Sequence, residues 1–182
     1  MEAPEKQDIV AEVSQRARKN FSKGFNCAEC VVEAVLGQID VGLPKETLKI
    51  ATGFGGGIGL FGDTCGAITG AIISVSAVHG RSTLPEGENA MGIAKEALYG
   101  KPGLYRLFNQ IPNMAEEKYG NTLCREIAAE WRDNWLCREH ALHCREIITD
   151  MARYAAELIT GDQETLSSQP FGKNVENLKE GG

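Results

Sequence analysis

The stretch that decides the fold is GFGGGIGLFGDTCGAITGAIISVSAVHG, residues 53–80. It begins as a glycine-rich loop and continues as a run of small and apolar residues. Glycine at this density permits left-handed backbone and close approach of neighbouring chain segments. Asp63 or Thr64 can cap a helix, so we expect a helix with Cys65 in its first turn. Free amides and the helix dipole would favour the thiolate form of a cysteine placed there.

The small residues after Cys65 leave one face of this helix almost without side chains. Gly66-Ala67 and Gly70-Ala71 lie on that face, where either a second backbone or a bulky cofactor can come close. A simple packing contact between helices is the alternative interpretation. The glycine pattern lacks the βαβ context of a dinucleotide fold, and no GKS or GKT follows it, so we expect no nucleotide.

Composition limits the classes of protein that remain. A chain of 182 residues can bury one core, which predicts one helical domain over residues 1–160 and a polar, flexible tail over 161–182. The net charge of -6 argues against nucleic acid as a partner. The longest apolar run is shorter than the roughly 20 residues that span a bilayer. The N-terminus does not resemble a signal peptide, so we expect a cytoplasmic protein in which six cysteines serve metal binding or redox chemistry.

Outside the central stretch, apolar residues recur at helical spacing and no segment alternates with period two. Asn26 and Glu29 form a capping-box pattern, which puts Cys27 at the first position of a helix. Asn121-Thr122 predicts another helix start just before Cys124. The sequence therefore predicts an all-α bundle with the glycine-rich loop at a cysteine site. The other expected helices cover residues 5–20, 44–51, 88–99, 104–118 and 138–159.

Three cysteines, Cys27, Cys65 and Cys124, fall at predicted helix starts. Converging helix N-termini supply amide donors and positive dipole ends, which stabilise anionic sulfur. The thiolate ligands of an iron–sulfur cluster suit this environment. A nucleophilic thiol suits it equally well, so the pattern leaves both interpretations open.

The remaining cysteines and histidines give weaker signals. Cys27 and Cys30 form a CxxC that lacks a following histidine, which excludes c-type haem attachment. The simplest interpretation of Cys30 is that it is a small, buried hydrophobic residue. Cys137, His140 and Cys144 would share one helix face and could hold zinc. We favour the alternative that His140 and the nearby His143 are surface histidines.

Four separated motifs appear in the order FNCA (25–28), GFGGG (53–57) leading to TCGAxxG (64–70), YG with CREI (119–127), and Cys144. This order resembles the C_GCAxxG_C_C family of redox-active proteins over about residues 10–160. The resemblance implies a helical redox domain whose four signature cysteines are Cys27, Cys65, Cys124 and Cys144. A similar domain occurs in split-Soret cytochrome c, where these cysteines form a proposed iron–sulfur site beside haem.

The resemblance implies an iron–sulfur cluster held by these four thiolates, with [2Fe–2S] favoured, [4Fe–4S] possible and no haem. Gly56, Gly57 and Gly66 would let backbone amides reach the sulfurs. Electron transfer to a redox partner protein would be the function, and a homodimer is possible. Two alternatives stay open. One is a dithiol redox protein with Cys65 as the reactive thiol and Cys27 as its resolving partner. The other is a structural zinc module that binds other proteins.

Overall fold

The computed structural model describes residues 3–175, and helices make up nearly all the regular structure in this range. These residues contain no β-strand, and a single isolated bridge joins Thr64 to Leu123. The predicted all-α class is therefore confirmed. The helices are α1 (Ala3–Phe21), α2 (Cys27–Leu36), α3 (Lys49–Thr52), α4 (Gly66–His79), α5 (Ala90–Tyr99), α6 (Leu104–Tyr119), α7 (Cys124–Ile127), α8 (Arg138–Thr160) and α9 (Gln163–Leu166), with 3₁₀ turns at Lys45–Leu48 and Ala129–Trp131.

Four helices, α1, α2, α4 and α8, pack against one another and enclose the core. The α6 helix covers α4 and α8, and α5 packs on the outside of α6. Apolar side chains at helical spacing fill the interior, and their burial is the main force that holds the helices together. The fully buried large side chains include Val13, Val31, Val35, Ile68, Val75, Leu107, Ile111, Ile147, Ile148 and Met151.

The face of α4 without side chains packs directly on α2. A Cβ atom on Gly70 would lie 2.8 Å from the carbonyl oxygen and 3.0 Å from the Cα of Ala28. One on Gly66 would lie 2.7 Å from the carbonyl oxygen of Phe54 and 3.1 Å from the Cβ of Cys27. At Gly70 this face is therefore a packing contact with the backbone of α2, and at Gly66 it meets the carbonyl group of Phe54 in the glycine-rich loop.

One detail of the predicted helices needs correction. Cys65 is itself the N-cap of α4, outside its first turn, because Asp63 accepts a hydrogen bond from the amide of Thr64 instead of capping the helix. The α6 helix continues through Pro112, although proline removes one hydrogen bond. Buried Ile111 and Ala115 anchor that helix on both sides of the proline.

The described part of the predicted tail folds back onto α6. The Arg106 guanidinium lies 4.4 Å from the centre of the Phe171 ring, and Lys173 pairs with Glu116 at 2.7 Å. Residues 176–182 lie outside the described residues, and the flexibility of the tail stays a prediction. Within residues 3–175, no helix combines the length and the apolar character that crossing a membrane requires.

Candidate cysteine redox site

Cys27 begins α2 and is fixed there by the predicted capping box. The Asn26 side chain accepts hydrogen bonds from the amides of Ala28 and Glu29 at 3.0 Å, and Glu29 accepts one from the Asn26 amide at 2.9 Å. The Asn26 amide group also donates to the carbonyl of Thr52 at 3.0 Å, just before the glycine-rich loop. These bonds fix Cys27 and the start of the loop against each other.

The glycine-rich loop then wraps around the sulfur atoms. Gly56 and Gly57 adopt φ angles of 63° and 70°, and the Gly56 amide donates a hydrogen bond to the sulfur of Cys27. A Cβ on Gly57 would collide with the backbone of Asp63 and lie 2.8 Å from the Cβ of Cys124. Among the predicted site glycines, Gly56 therefore contacts a thiol directly, while Gly57 lets the loop close against the segment that carries Cys124.

Two residues of the same loop, Ile58 and Leu60, also have left-handed backbone, with φ of 60° and 66°. Each such conformation costs about 1–2 kcal/mol for a residue with a side chain, and more for the branched isoleucine. Their side chains nevertheless point into solvent, as does that of Phe61, which is 76% exposed. The loop that contacts Cys27 thus exposes three large apolar side chains, Ile58, Leu60 and Phe61, to solvent.

A short antiparallel pairing sets Cys65 beside Cys124. The Cys65 amide donates to the Thr122 carbonyl, and the Cys124 amide donates to the Asp63 carbonyl, both at 2.8 Å. Cys124 is the first residue of α7, as the sequence predicted, and both thiols are buried. These two hydrogen bonds fix Cys65 and Cys124, which are 59 positions apart in the chain, next to each other.

The fourth family cysteine, Cys144 of α8, completes the group from the opposite side. The interaction of its thiol with the Cys27 sulfur is the largest of the effects that lower the pKa of Cys27, to about 7. The amides of Gly56 and of Cys27 itself lower this pKa further, against the opposing effect of burial. The same interaction with Cys27, together with burial, raises the pKa of Cys144 far above that of a free thiol. Cys27 is therefore the more acidic thiol of the pair.

At the other three thiols of the core, no side-chain hydrogen bond offsets the effect of burial on the pKa. Burial raises the pKa of Cys65 to about 12, although the amides of Ala67 and Ile68 act in the opposite direction. It likewise raises the pKa of Cys124 to about 11 and that of Cys30 to about 12, and the negative charge on Cys27 adds to both. The expectation that the helix start favours the thiolate form of Cys65 is wrong, because desolvation outweighs the nearby backbone amides.

His140 lies against Cys144, one turn earlier on α8. Its Nδ1 lies 2.6 Å from the carbonyl oxygen of Trp135, which can only accept, so Nδ1 carries a proton. In the neutral ring, Nε2 is then an acceptor, and it lies 3.2 Å from the Cys144 sulfur. Trp131 and Trp135 flank the imidazole, with ring centres 5.7 and 4.1 Å away.

The interpretation of His140 as a surface histidine is wrong, since only 6% of the residue is exposed. The i, i+4 spacing to Cys144 was the signal that could have revealed the contact. Cys137 does not join the site, because it is the N-cap of α8 and its sulfur accepts from the His140 amide. His143 is half-buried beside Trp131, with ring centres 4.9 Å apart.

The cysteines also form a possible donor set for a metal. Four thiols from four separate segments fit the chemistry of an iron–sulfur cluster. In residues 3–175, however, no three histidine, cysteine, aspartate or glutamate side chains are grouped so that they could hold a metal ion. Within this group of thiols, Cys27 and Cys144 interact as a pair.

Fold and site together define an all-α protein built around converging cysteine thiols. A family model described as "Putative redox-active protein (C_GCAxxG_C_C)" matches residues 25–158. The chain belongs to this family, as the sequence motifs indicated. No curated protein and no solved structure matches the chain.

Proposed function

We propose that this protein is a dithiol–disulfide redox protein whose reactive pair is Cys27 and Cys144. The observation that carries the proposal is the placement of the two thiols as interacting neighbours at the start of α2 and on α8, which lowers the pKa of Cys27 to about 7 and raises that of Cys144. An attacking thiol works best when its pKa is close to the ambient pH. A neighbouring thiol already in contact is well placed to resolve the mixed disulfide.

The reaction transfers two electrons from the protein to a partner disulfide. The Cys27 thiolate attacks one sulfur of that disulfide, a Cys27–partner bond forms, and the leaving partner thiolate takes a proton from solvent. Cys144 then attacks Cys27 in the mixed disulfide. The Cys27–Cys144 disulfide forms, and the second partner sulfur leaves as a thiol with the proton that Cys144 gives up. The reverse sequence, with a dithiol partner, reduces the protein again.

His140 supports the second of these steps. Once Cys27 is bonded to the partner, it carries no charge and no longer attracts the Cys144 proton. The acceptor that remains beside Cys144 is His140 Nε2, at 3.2 Å. The carbonyl of Trp135 holds the ring in the tautomer that this role requires.

Alkylation of Cys27 should report its lowered pKa directly. We expect its rate with iodoacetamide, followed by peptide mass spectrometry, to reach half of its plateau at a pH of about 7 instead of about 9. In Cys144→Ala the midpoint should rise, because the main hydrogen bond that stabilises the thiolate is lost. Cys144→Ser keeps a donor and should hold the midpoint low. A midpoint near 9 in the native protein would contradict the proposed pair.

An iron–sulfur cluster on Cys27, Cys65, Cys124 and Cys144 is the second candidate. The convergence of all four family cysteines favours it, since a dithiol needs only two of them. A bound cluster would supply one-electron transfer to a partner protein through these thiolates. The buried positions of Cys65 and Cys124 and the Gly56 amide would then shield the sulfurs and stabilise their negative charge.

One preparation separates the candidates. Protein purified without oxygen is analysed for iron, acid-labile sulfide and zinc, and then oxidised with bis(2-hydroxyethyl) disulfide and mapped by mass spectrometry. We expect little metal and a Cys27–Cys144 disulfide in the oxidised sample. Iron with matching sulfide, and a visible band that dithionite bleaches, would overturn the dithiol in favour of the cluster. Zinc at one per chain would indicate the structural module instead.

A further inference from the structure

A cleft of about 340 Å³ opens between the glycine-rich loop and the segment from Arg125 to Trp135. Gly56, whose amide bonds to Cys27, lines one wall. Trp135, whose carbonyl bonds to His140, lines the other. A group bound in this cleft therefore touches residues that contact both halves of the reactive pair.

The walls of the cleft combine apolar and positive side chains. Leu60 and Phe61 belong to the loop and are 69% and 76% exposed. Arg125 and Arg132 face them from the other wall, and both are exposed. Arg132 makes no ion pair with another residue in the range 3–175, while Arg125 has the exposed Glu126 at 3.7 Å. Two arginines at one opening stand out on a chain with a net charge of -6.

Resting on the proposed function, we propose that this cleft docks a partner polypeptide whose disulfide is flanked by an apolar side chain and by carboxylates. The two arginines complement the carboxylates, and Trp135 with Leu60 provides an apolar floor. Ile58, exposed on the same loop, extends the apolar surface beyond the cleft, which suits an occupant larger than the cleft itself. The energetic cost of holding Ile58 and Leu60 in left-handed backbone is consistent with a surface built for contact.

Matched peptides test the docking on the full chain. Each carries one cysteine as its mixed disulfide with 2-mercaptoethanol, next to a phenylalanine and either two glutamates or two lysines. The products are the peptide thiol, 2-mercaptoethanol and the Cys27–Cys144 disulfide. We expect the native protein to reduce the glutamate peptide at least about tenfold faster than the lysine peptide, with the ratio falling as salt is added.

A double variant that carries both Arg125→Glu and Arg132→Glu should invert the ratio, so that the lysine peptide is reduced faster than the glutamate peptide. Arg81→Glu is the matched control: Arg81 follows the far end of α4, roughly 20 Å from Cys65, and its variant should keep the native ratio. Circular dichroism checks that both variants fold. Equal rates for the two peptides, or an unchanged ratio after reversal at Arg125 and Arg132, would overturn the docking proposal.

Two small disulfides complete the design. Neutral bis(2-hydroxyethyl) disulfide must oxidise the native pair; if it fails, the proposed function itself is wrong. If it succeeds while the peptides show no preference, only the docking proposal fails. Dithiodiglycolate is acidic but lacks a polypeptide. If the protein reduces dithiodiglycolate as fast as it reduces the glutamate peptide, the cleft binds small acidic disulfides. That result would contradict the proposal that its occupant is a polypeptide.

Discussion

Cys27→Ser is expected to slow reduction of bis(2-hydroxyethyl) disulfide by more than roughly a thousandfold, because a serine hydroxyl neither ionises near neutral pH nor forms a disulfide. The readout is release of 2-mercaptoethanol by reduced protein in excess over the disulfide. The reaction should also leave no covalent adduct detectable by mass spectrometry. In Cys144→Ser, by contrast, the first step remains possible, and a mixed disulfide on Cys27 should accumulate.

Cys137→Ser is the matched control, since it makes the same exchange on the same α8 helix as Cys144. The sulfur of Cys137 caps α8 by accepting from the His140 amide at 3.4 Å, and serine is a favourable residue at that position. We expect native rates from it. Loss of activity in Cys65→Ser together with native activity in Cys27→Ser would contradict the pair and restore Cys65 as the attacking thiol.

Gly57→Ala is expected to lower the free energy of unfolding by at least about 3 kcal/mol. Left-handed backbone alone costs a residue with a side chain about 1–2 kcal/mol, and the new methyl group would meet the Asp63 backbone and the Cβ of Cys124. Those neighbours are held by the pairing of residues 62–65 with 122–125, so they cannot move apart cheaply. For a chain of this length, the melting temperature should fall by roughly 6–12 °C in calorimetry.

Gly53→Ala tests whether the effect belongs to Gly57 or to any glycine of the loop. Gly53 has φ of -70°, and a Cβ there meets no atom within 4 Å. Alanine should be neutral or stabilise the protein by about 0.4–1 kcal/mol, through the entropy of the unfolded chain. Similar melting temperatures for the two variants would mean that the close contact at Gly57 carries no strain.

Local signals in the sequence were sufficient to predict the helices and where several of them begin. The Asn26 capping box and the apolar spacing along α8 each lie within one helix, so neighbouring residues specify them. The start of α4 differed by one position because Asp63 bonds to Thr64 instead of capping the helix. The competition between these two local bonds is too finely balanced to be read from residue types.

The pKa order of the thiols depends on tertiary structure and was not predictable in the same way. A helix start suggested that Cys65 would ionise easily, yet its burial is the larger effect and sequence position does not reveal it. The interaction between Cys144 and Cys27 depends on α2 and α8, two helices that pack together only in the folded chain. His140 was misread for a similar reason, since its charged neighbours Arg138 and Glu139 suggested a surface position.

Cys27 and Cys144 are 117 positions apart in the chain, at the start of α2 and in the second turn of α8, two helices that meet only after the bundle has formed. A disulfide between them would therefore close a loop that spans most of the polypeptide. In the chain-entropy model, a loop of about this size stabilises the folded state by roughly 4–5 kcal/mol. By thermodynamic linkage, folding favours oxidation of the pair by the same amount. The oxidised protein would thus resist unfolding and proteolysis more than the reduced protein, so that cellular lifetime would follow redox state.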